Sequence, residues 1–479
     1  MITLSLAEVA EIVGGQACDI PAPGAKDVQV TGPVVYDSRA VEPGGLFAAF
    51  AGERVDGHDY AARAVEAGAV AVLATRPVGV PAIVVGNVVE ALGALAKAVV
   101  ERLGASVVAL TGSAGKTSTK DLIAQLLRSK APTIWPEGNL NNEIGLPITA
   151  LRAVADTRYL VLEMGARYIG DIRYLTGLVP PRVGVVLNVG TAHLGEFGSR
   201  ENIAIAKGEM VESLPSAEEG GIAVLNADDA LVREMASRTT ARVVYFGESD
   251  KADVRAENVR LTDTGQAAFL LRTPSGCRDV TLRLYGEHHV SNALAAAAVA
   301  HELGLSVDEI AEALGSAGSL SRWRMEVTER SDGVTIVNDA YNANPESMRA
   351  ALRALVAMGG AARAGGGRTW AVLGPMAELG DDELAEHDAI GRLAVRLNVN
   401  KLVAVGGREA SWLRLGAYNE GSWGEESVHV SDARAAIDLL RRELRPGDVV
   451  LVKASRSAAL ERVALALLDG AAEGEVAGR

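Results

Sequence analysis

Cysteine is scarce in this chain of 479 residues: only Cys18 and Cys277 are present. They stand far apart without a CxxC pair or histidine-rich neighbours, so neither a disulfide framework nor a zinc site of ordinary spacing is expected. Two such thiols suit a reducing compartment. Positive charge is also in short supply. Lysine and arginine total 47 against 61 aspartates and glutamates, a net charge of −14, and a surface this acidic repels phosphate backbones and argues against nucleic acid as the main partner. No long apolar run occurs. The least polar stretch, Ala293 to Ala300, is bounded by Asn292 and His301 and falls far short of the roughly 20 residues that span a bilayer. A basic leader is missing too, with Glu8 and Glu11 standing where a signal peptide would be apolar, so a mature cytoplasmic protein is expected. No repeat of solenoid period is visible.

What remains is a composition of 48% hydrophobic and 23% charged residues, enough to bury a large core, in a chain long enough for about three domains at roughly 150 residues each. The first, residues 1–102, mixes short apolar runs (Leu46 to Phe50, Ala69 to Leu73, Ala82 to Val85) with turns such as Glu42-Pro43-Gly44-Gly45, a small α/β unit. The second, residues 103–320, opens with the buried-strand pattern Val107 to Leu110 and an apolar-periodic helix to about Ser129. Strand-like runs recur at Arg158 to Leu162, Val183 to Asn188, Ile222 to Asn226 and Val243 to Phe246, the alternation of a parallel sheet, and Val254 to Leu284 reads as an antiparallel extension. In the third, residues 321–479, strands ending at Val337, Leu373, Val405 and Val452 alternate with helices near Glu346 to Met358, around His387 to Leu397 and from Asp432. The expectation is an α/β protein with a central phosphate-loop (P-loop) ATPase domain on a parallel sheet and a C-terminal Rossmann-like, doubly wound domain.

The strongest local signal is Thr111-Gly112-Ser113-Ala114-Gly115-Lys116-Thr117-Ser118, between a predicted strand and a predicted helix. Glycines let backbone N–H groups close on phosphate oxygens, the helix N-terminus favours negative charge, Lys116 reaches the outer phosphates and the Thr117 hydroxyl can ligate Mg²⁺. Leu110 stands where the strict pattern has its first glycine, and no Asn-Lys-x-Asp guanine motif occurs, so ATP is favoured over GTP. Glu163 follows the apolar run Tyr159 to Leu162. A carboxylate at the carboxyl end of a parallel strand lies in the crevice where such sheets bind ligands, beside Thr117. His193 follows another strand, in Asn188-Val189-Gly190-Thr191-Ala192-His193, and is a metal ligand or an ordinary structural histidine. Lys207 sits among apolar residues, either functional or a helix-surface lysine with a buried stem. Gly286 to Asn292 precedes an alanine-rich helix, where Ser291 or Asn292 faces a ligand or caps the helix. The loop Asn338-Asp339-Ala340-Tyr341-Asn342-Ala343-Asn344-Pro345 is polar enough to favour ligand binding over capping. Trp323 and Trp370 read as core or hinge packing.

Taken in order, these signatures resemble those of the Mur ligases, ATP-dependent amide-forming enzymes of peptidoglycan precursor synthesis, over essentially the whole chain. The first domain supplies Asp37-Ser38-Arg39, Pro43-Gly44, Leu46-Phe47 and Asp56-Gly57-His58. The second adds the phosphate loop, Gly138-Asn139-Leu140-Asn141-Asn142-Glu143-Ile144-Gly145-Leu146-Pro147 and Glu163-Met164-Gly165-Ala166. The third adds Asn338 to Pro345, Leu373 to Gly380 and Lys453-Ala454-Ser455-Arg456. Within the family the pattern is most similar to the branch that joins D-alanyl-D-alanine to UDP-N-acetylmuramoyl-tripeptide, since the Asp-Asn-Pro-Arg type motif of the diaminopimelate- or lysine-adding relatives is absent. Another Mur ligase, a folylpolyglutamate-synthase-like ligase and a nucleotide-dependent binding protein are the rival readings.

The resemblance implies an N-terminal domain gripping the UDP-sugar, a central ATPase domain, and a C-terminal domain closing over ATP and dipeptide. It assigns Lys116, Glu163, His193 and Lys207 to catalysis. ATP would lie on Gly112, Ser113, Ala114, Gly115, Lys116, Thr117 and Ser118, with Asn292, Arg324, Asn338 and Asp339. Ser38 and Arg39 would meet the uridine end, and Asn141 and Asn142 the sugar-diphosphate. Thr117 and Glu163 would hold one Mg²⁺, His193 and a carbamylated Lys207 a second. A monomer working in cell-wall synthesis, and through it in cell shape and division, is the family expectation.

Overall fold

The structure, a computed structural model, describes residues 1–479 except 21–25, 27, 53, 54, 139, 193 and 477–479, and the side chains of 361–364 and 470–476 are likewise outside the described set. Asn139 and His193, both singled out above, therefore lie outside the described residues.

A nine-stranded sheet carries the middle of the chain, in the order Gly276–Tyr285, Gln266–Thr273, Val254–Leu261, Arg242–Gly247, Ile222–Asn226, Val183–Val186, Ser106–Thr111, Tyr159–Glu163, Thr133–Ile134. From Val254–Leu261 to Thr133–Ile134 neighbours run parallel, and the last three strands in sequence form an antiparallel meander, as the sequence pattern suggests. Val108, Ala109 and Leu110 are fully buried, because helices cover both faces of the parallel part. One face is closed by Lys116–Arg128 and His289–Glu302, where Leu122, Ile123 and Leu126 pack among the alanines 293 and 295–298. Alanine along the second helix allows a close approach at native packing density.

In the first unit five strands are ordered Gln16–Cys18, Ala82–Val84, Ala71–Ala74, Leu46–Ala48, Val34–Val35. The helix Val88–Leu103 follows. Asn87 starts it, its Oδ1 accepting from the N–H groups of Val89 (2.8 Å) and Glu90 (3.3 Å), and Gly104 ends it at φ +62°. Its inner face, with Leu92, Leu95 and Val99, shares one core with Leu146, Leu160 and Leu178 of the central unit. The helix is thus a common wall of the first two units.

The third unit is a six-stranded sheet ordered Glu326–Glu329, Thr335–Asn338, Val449–Lys453, Thr369–Leu373, Lys401–Val405, Ser427–Val430, parallel except for the first pair. Separate apolar clusters cover its two faces, the doubly wound arrangement expected. Asn338, Lys453 and Leu373 end neighbouring strands at one edge, the crevice in which such sheets bind ligands. Pro345 opens the helix Pro345–Ala364, which runs well past the expected Met358. Among the described residues no helix is long and apolar enough to cross a membrane.

Candidate active site

The phosphate loop leaves the sheet after Thr111 and enters the helix Lys116–Arg128 through Gly115 at φ +80°. A Cβ at Gly115 would sit 2.5 Å from Asn292 Oδ1, so glycine is required by both conformation and space. No side chain caps the helix start, leaving first-turn N–H groups for an anion. The loop is braced from behind: Asn188 Oδ1 accepts from the N–H groups of Ser113 and Ala114, both at 2.9 Å, and its Nδ2 donates to the Ala114 carbonyl at 3.1 Å. Lys116 Nζ donates to the Gly112 carbonyl at 2.8 Å. Burial holds the Lys116 pKa below the ordinary lysine value, with the charge of Glu163 offsetting part of the shift.

Thr117 and Glu163 meet, as the place of Glu163 at the carboxyl end of a parallel strand suggests. Glu163 is the last residue of Tyr159–Glu163 and pairs with Leu110, which places its carboxylate at the mouth of the loop. Thr117 Oγ1 donates to Glu163 Oε2 at 2.9 Å, Asn141 Nδ2 donates to Oε1 at 2.9 Å, and Arg324 Nη2 donates to Thr117 Oγ1 at 3.3 Å. Lys207, on the helix Arg200–Glu212, is 3% exposed and lines the same cavity. Burial, and behind it the charge of Lys116, holds its pKa well below the ordinary lysine value. A carboxylate beside a threonine hydroxyl is an oxygen donor set suited to Mg²⁺, which takes one or two protein ligands and leaves the rest to phosphates and water. The residues present therefore fit the metal.

Across a cavity of about 1030 Å³ stands the C-terminal unit. Asp339, 7% exposed, accepts from Lys453 Nζ at 2.6 Å and, through Oδ1, from the Met325 N–H at 3.1 Å. The same Nζ donates to the Asn342 carbonyl at 2.9 Å. The Arg324 guanidinium lies 4.3 Å from the centre of the Tyr341 ring. Glu346 Oε1 reaches over to accept from the N–H and hydroxyl of Thr191 at 2.8 and 2.7 Å, and Asn344 Nδ2 donates to the Ser113 carbonyl at 3.4 Å. The two units are joined at the rim of the phosphate loop. Burial holds His288 down at about 4 and His289 well below its ordinary value, so both are neutral at pH 7 beside the cavity.

Ser113 to Ser118, Asn141, Asn142, Glu163, Lys207, Asn292, Arg324 and Asp339 all line this one cavity. Gly112 lies just beneath it, where a Cβ would meet Leu187 at 2.9 Å. Asn338 is buried at its strand end and turns the chain, its Oδ1 accepting from the Ala340 N–H at 3.4 Å; it is not among the lining residues. Ser38 and Arg39 sit in the first unit, outside the cavity, with Arg39 forked onto Asp37. Capping by Ser291 or Asn292 is corrected: the helix begins at His289, both residues lie inside it, and Asn292 Oδ1 instead accepts from the Thr119 hydroxyl at 3.2 Å. The individual roles of Asn188, Lys453 and Glu346 went unforeseen. A polar residue ending an apolar strand was the available signal for the first two.

The similarities to known proteins agree with this geometry. Residues 33–107 match the catalytic domain of the Mur ligase family, residues 110–300 the Mur ligase middle domain, and residues 323–456 the Mur ligase glutamate ligase domain. The UDP-N-acetylmuramoyl-tripeptide--D-alanyl-D-alanine ligase of Mycobacterium leprae is 50% identical, the alignment covering 98% of this chain and 99% of that protein. The chain belongs to the Mur ligase family. The D-alanyl-D-alanine-adding ligase of Escherichia coli is 36% identical over 98% of this chain and 99% of its own. Among solved structures, MurF from Acinetobacter baumannii superposes with a TM-score of 0.86 at 31% identity, covering 98% of this chain and 99% of that one. The MurF ligase of Thermotoga maritima in complex with ADP gives 0.80 at 31% identity, covering 94% and 99%. As a Mur ligase, the chain has the three-domain α/β architecture of those structures.

Proposed function

We propose that this Mur ligase joins D-alanyl-D-alanine to UDP-N-acetylmuramoyl-tripeptide at the expense of ATP, forming the pentapeptide precursor of peptidoglycan. The observation that carries the reading is one cavity holding a phosphate loop, the Thr117–Glu163 pair and the polar loop 339–344, in a chain whose full-length relatives bear that name. A carboxylate is a poor electrophile. The γ-phosphoryl group of ATP passes to the terminal carboxylate of the tripeptide, the dipeptide amine attacks the acyl phosphate carbon, and phosphate leaves with the bond electrons.

Lys116 and the uncapped helix start meet the charge that builds on the transferring phosphoryl oxygens. Thr117 and Glu163 would hold Mg²⁺, and His193 with Lys207 are the candidates for a second ion. When bound, the metal offsets phosphate charge that the protein alone meets only in part. Lys207 serves as an oxygen ligand once carbamylated. Its depressed pKa supports this, because only a neutral amine adds CO₂. Asn292, Arg324 and Asp339 would meet the adenine, ribose or phosphates of ATP, with Arg324 at the phosphate end beside Thr117; Asn141 and Asn142 would meet the sugar-diphosphate, and Ser38 and Arg39 the uridine end. Asn338 acts through the turn it holds. The domain divisions proposed are 1–102, 103–320 and 321–479, and the working form is a cytoplasmic monomer.

Phosphate release from ATP, Mg²⁺ and UDP-N-acetylmuramoyl-tripeptide, measured with and without D-alanyl-D-alanine, tests the reading, with the product mass read in parallel. Dipeptide-dependent release and a pentapeptide product are expected. Silence with this pair but turnover with another acid and amine would overturn the substrate assignment and keep the ATP site.

A further inference from the structure

The chain passes from the central to the C-terminal unit through the segment between Ser316, where the helix Val307–Ser316 ends, and Glu326, where the next strand begins. This connection is fastened along the phosphate-loop helix. Gln125 holds Gly318 twice, Nε2 donating to the Gly318 carbonyl at 2.9 Å and Oε1 accepting from its N–H at 3.1 Å. Asp121 Oδ2 accepts from the Ser321 N–H at 3.0 Å. Arg324 then reaches Thr117 Oγ1 at 3.3 Å. On the helix these positions are 117, 121 and 125, one face at a spacing of four. On the connection they are 324, 321 and 318, so the two segments run antiparallel, contact by contact. Ser319 Oγ tightens the strap by donating to the carbonyls of Ser321 (3.1 Å) and Arg324 (3.2 Å).

Beyond Ser321 the grip changes hands. Trp323 and Met325 stand at φ +59° and +48°, a conformation that non-glycine residues hold only where surroundings fix it. Here the C-terminal unit supplies the fixing: the Tyr341 N–H donates to the Trp323 carbonyl at 3.2 Å, and the Arg456 guanidinium lies 4.4 Å from the Trp323 ring centre. Arg324 therefore sits between two kinks locked to one unit, directly after a strap locked to the other.

We propose that Gln125 and Asp121 are positioning residues for Arg324. By fixing residues 318–321 to the helix they set the reach of its guanidinium, so that it stands at the Thr117 hydroxyl and meets the phosphates of the bound nucleotide. The assignment rests on the reading of residues 112–118 as the nucleotide loop, and it adds to that reading a mechanical link from the helix to the domain connection. Asp121 also pairs with the buried Lys120 at 3.0 Å, so Gln125 is the cleaner position to change.

The test is a double-mutant cycle read as the dissociation constant of a non-hydrolysable ATP analogue with Mg²⁺, without either ligase substrate, beside the thermal midpoint of each variant. Gln125→Met keeps the side-chain length and removes both hydrogen bonds. It is expected to weaken binding about fivefold, Arg324→Ala about tenfold or more, and the double variant no further than Arg324→Ala alone, since contacting residues couple. Gln125→Glu, which keeps the acceptor for the Gly318 N–H, is expected to fall between wild type and Gln125→Met, and it supplies the same cycle should Gln125→Met fold poorly. Equal losses from the Gln125 change in both backgrounds, or no loss at all, overturn the assignment while leaving the nucleotide reading intact. An unaltered chain that binds no nucleotide overturns both.

Discussion

On the central wall of the cleft, residues 113–117 do most of the shaping within five consecutive positions, braced by Asn188 on the adjacent strand end. On the facing wall Asp339 is held by Lys453, 114 positions later in the chain. The first wall is made of backbone groups and a helix terminus, which need only the right turn to exist. The second is a buried ion pair, whose two charges have both been taken out of water and are tolerable only together. One wall is thus a local device and the other a product of the finished domain. The difference predicts that damage to the central wall appears mainly in catalysis, whereas damage to the facing wall appears in stability as well.

The sharpest separation is expected at Lys207, behind the central wall. Lys207→Met is expected to cut turnover by about 10²–10³-fold or more, the range for losing one charge-stabilising group in a water-excluded site. Lys207→Ala should regain part of its activity with small carboxylates, and full activity without them would remove this lysine from the mechanism. Stability should move the other way. The folded pKa of Lys207 lies below its unfolded value, so between the two the unfolded chain binds a proton that the folded chain refuses, and wild-type stability climbs with pH. In CO₂-free buffer Lys207→Met lacks that climb. Its thermal midpoint should exceed wild type at pH 7, with the gap closing as pH rises toward the ordinary lysine value; a gap independent of pH would show that this amine carries no penalty.

Two further lysines, one on each wall, give the next largest effect. Lys453→Met leaves the Asp339 carboxylate buried without its cation, a loss of about 3–5 kcal/mol, and Asp339→Asn in the same chain should restore part of it. Lys116→Met removes a single hydrogen bond to the Gly112 carbonyl, so its stability should stay within about 1 kcal/mol of wild type while turnover collapses. Denaturant unfolding of the pair decides the matter: comparable stability losses at both positions would break the contrast between the walls.

The same contrast sets what could be read before the fold was known. Gly112 to Ser118 and Glu163 are legible because each sits at the end of an apolar strand, and a parallel sheet brings such ends to one edge. Asn292 was half-legible: local pattern offers a cap, and only the packing of His289–Glu302 against Lys116–Arg128 turns it toward Gly115. The burial of Lys207 could not be read from periodicity, since a lysine on a helix among alanines and isoleucines fits an exposed face equally well. The pairing of Lys453 with Asp339 depends on two strands becoming neighbours. The edge strand Thr133–Ile134 has two residues, too few for any period to register.

The smallest expected effect belongs to Asn188, and it asks how local the central wall is. Its Oδ1 occupies the N–H groups of Ser113 and Ala114, which otherwise are groups an anion could use. If those bonds serve to hold the loop open in its binding shape, Asn188→Ala should weaken ATP about tenfold, the equivalent of one well-made hydrogen bond, with little change in the thermal midpoint. If they compete with phosphate instead, the same variant should bind ATP more tightly. The first outcome is expected, because the Nδ2 donation to the Ala114 carbonyl fixes the loop from the other side as well, and a group that grips a turn from both sides costs binding when it leaves.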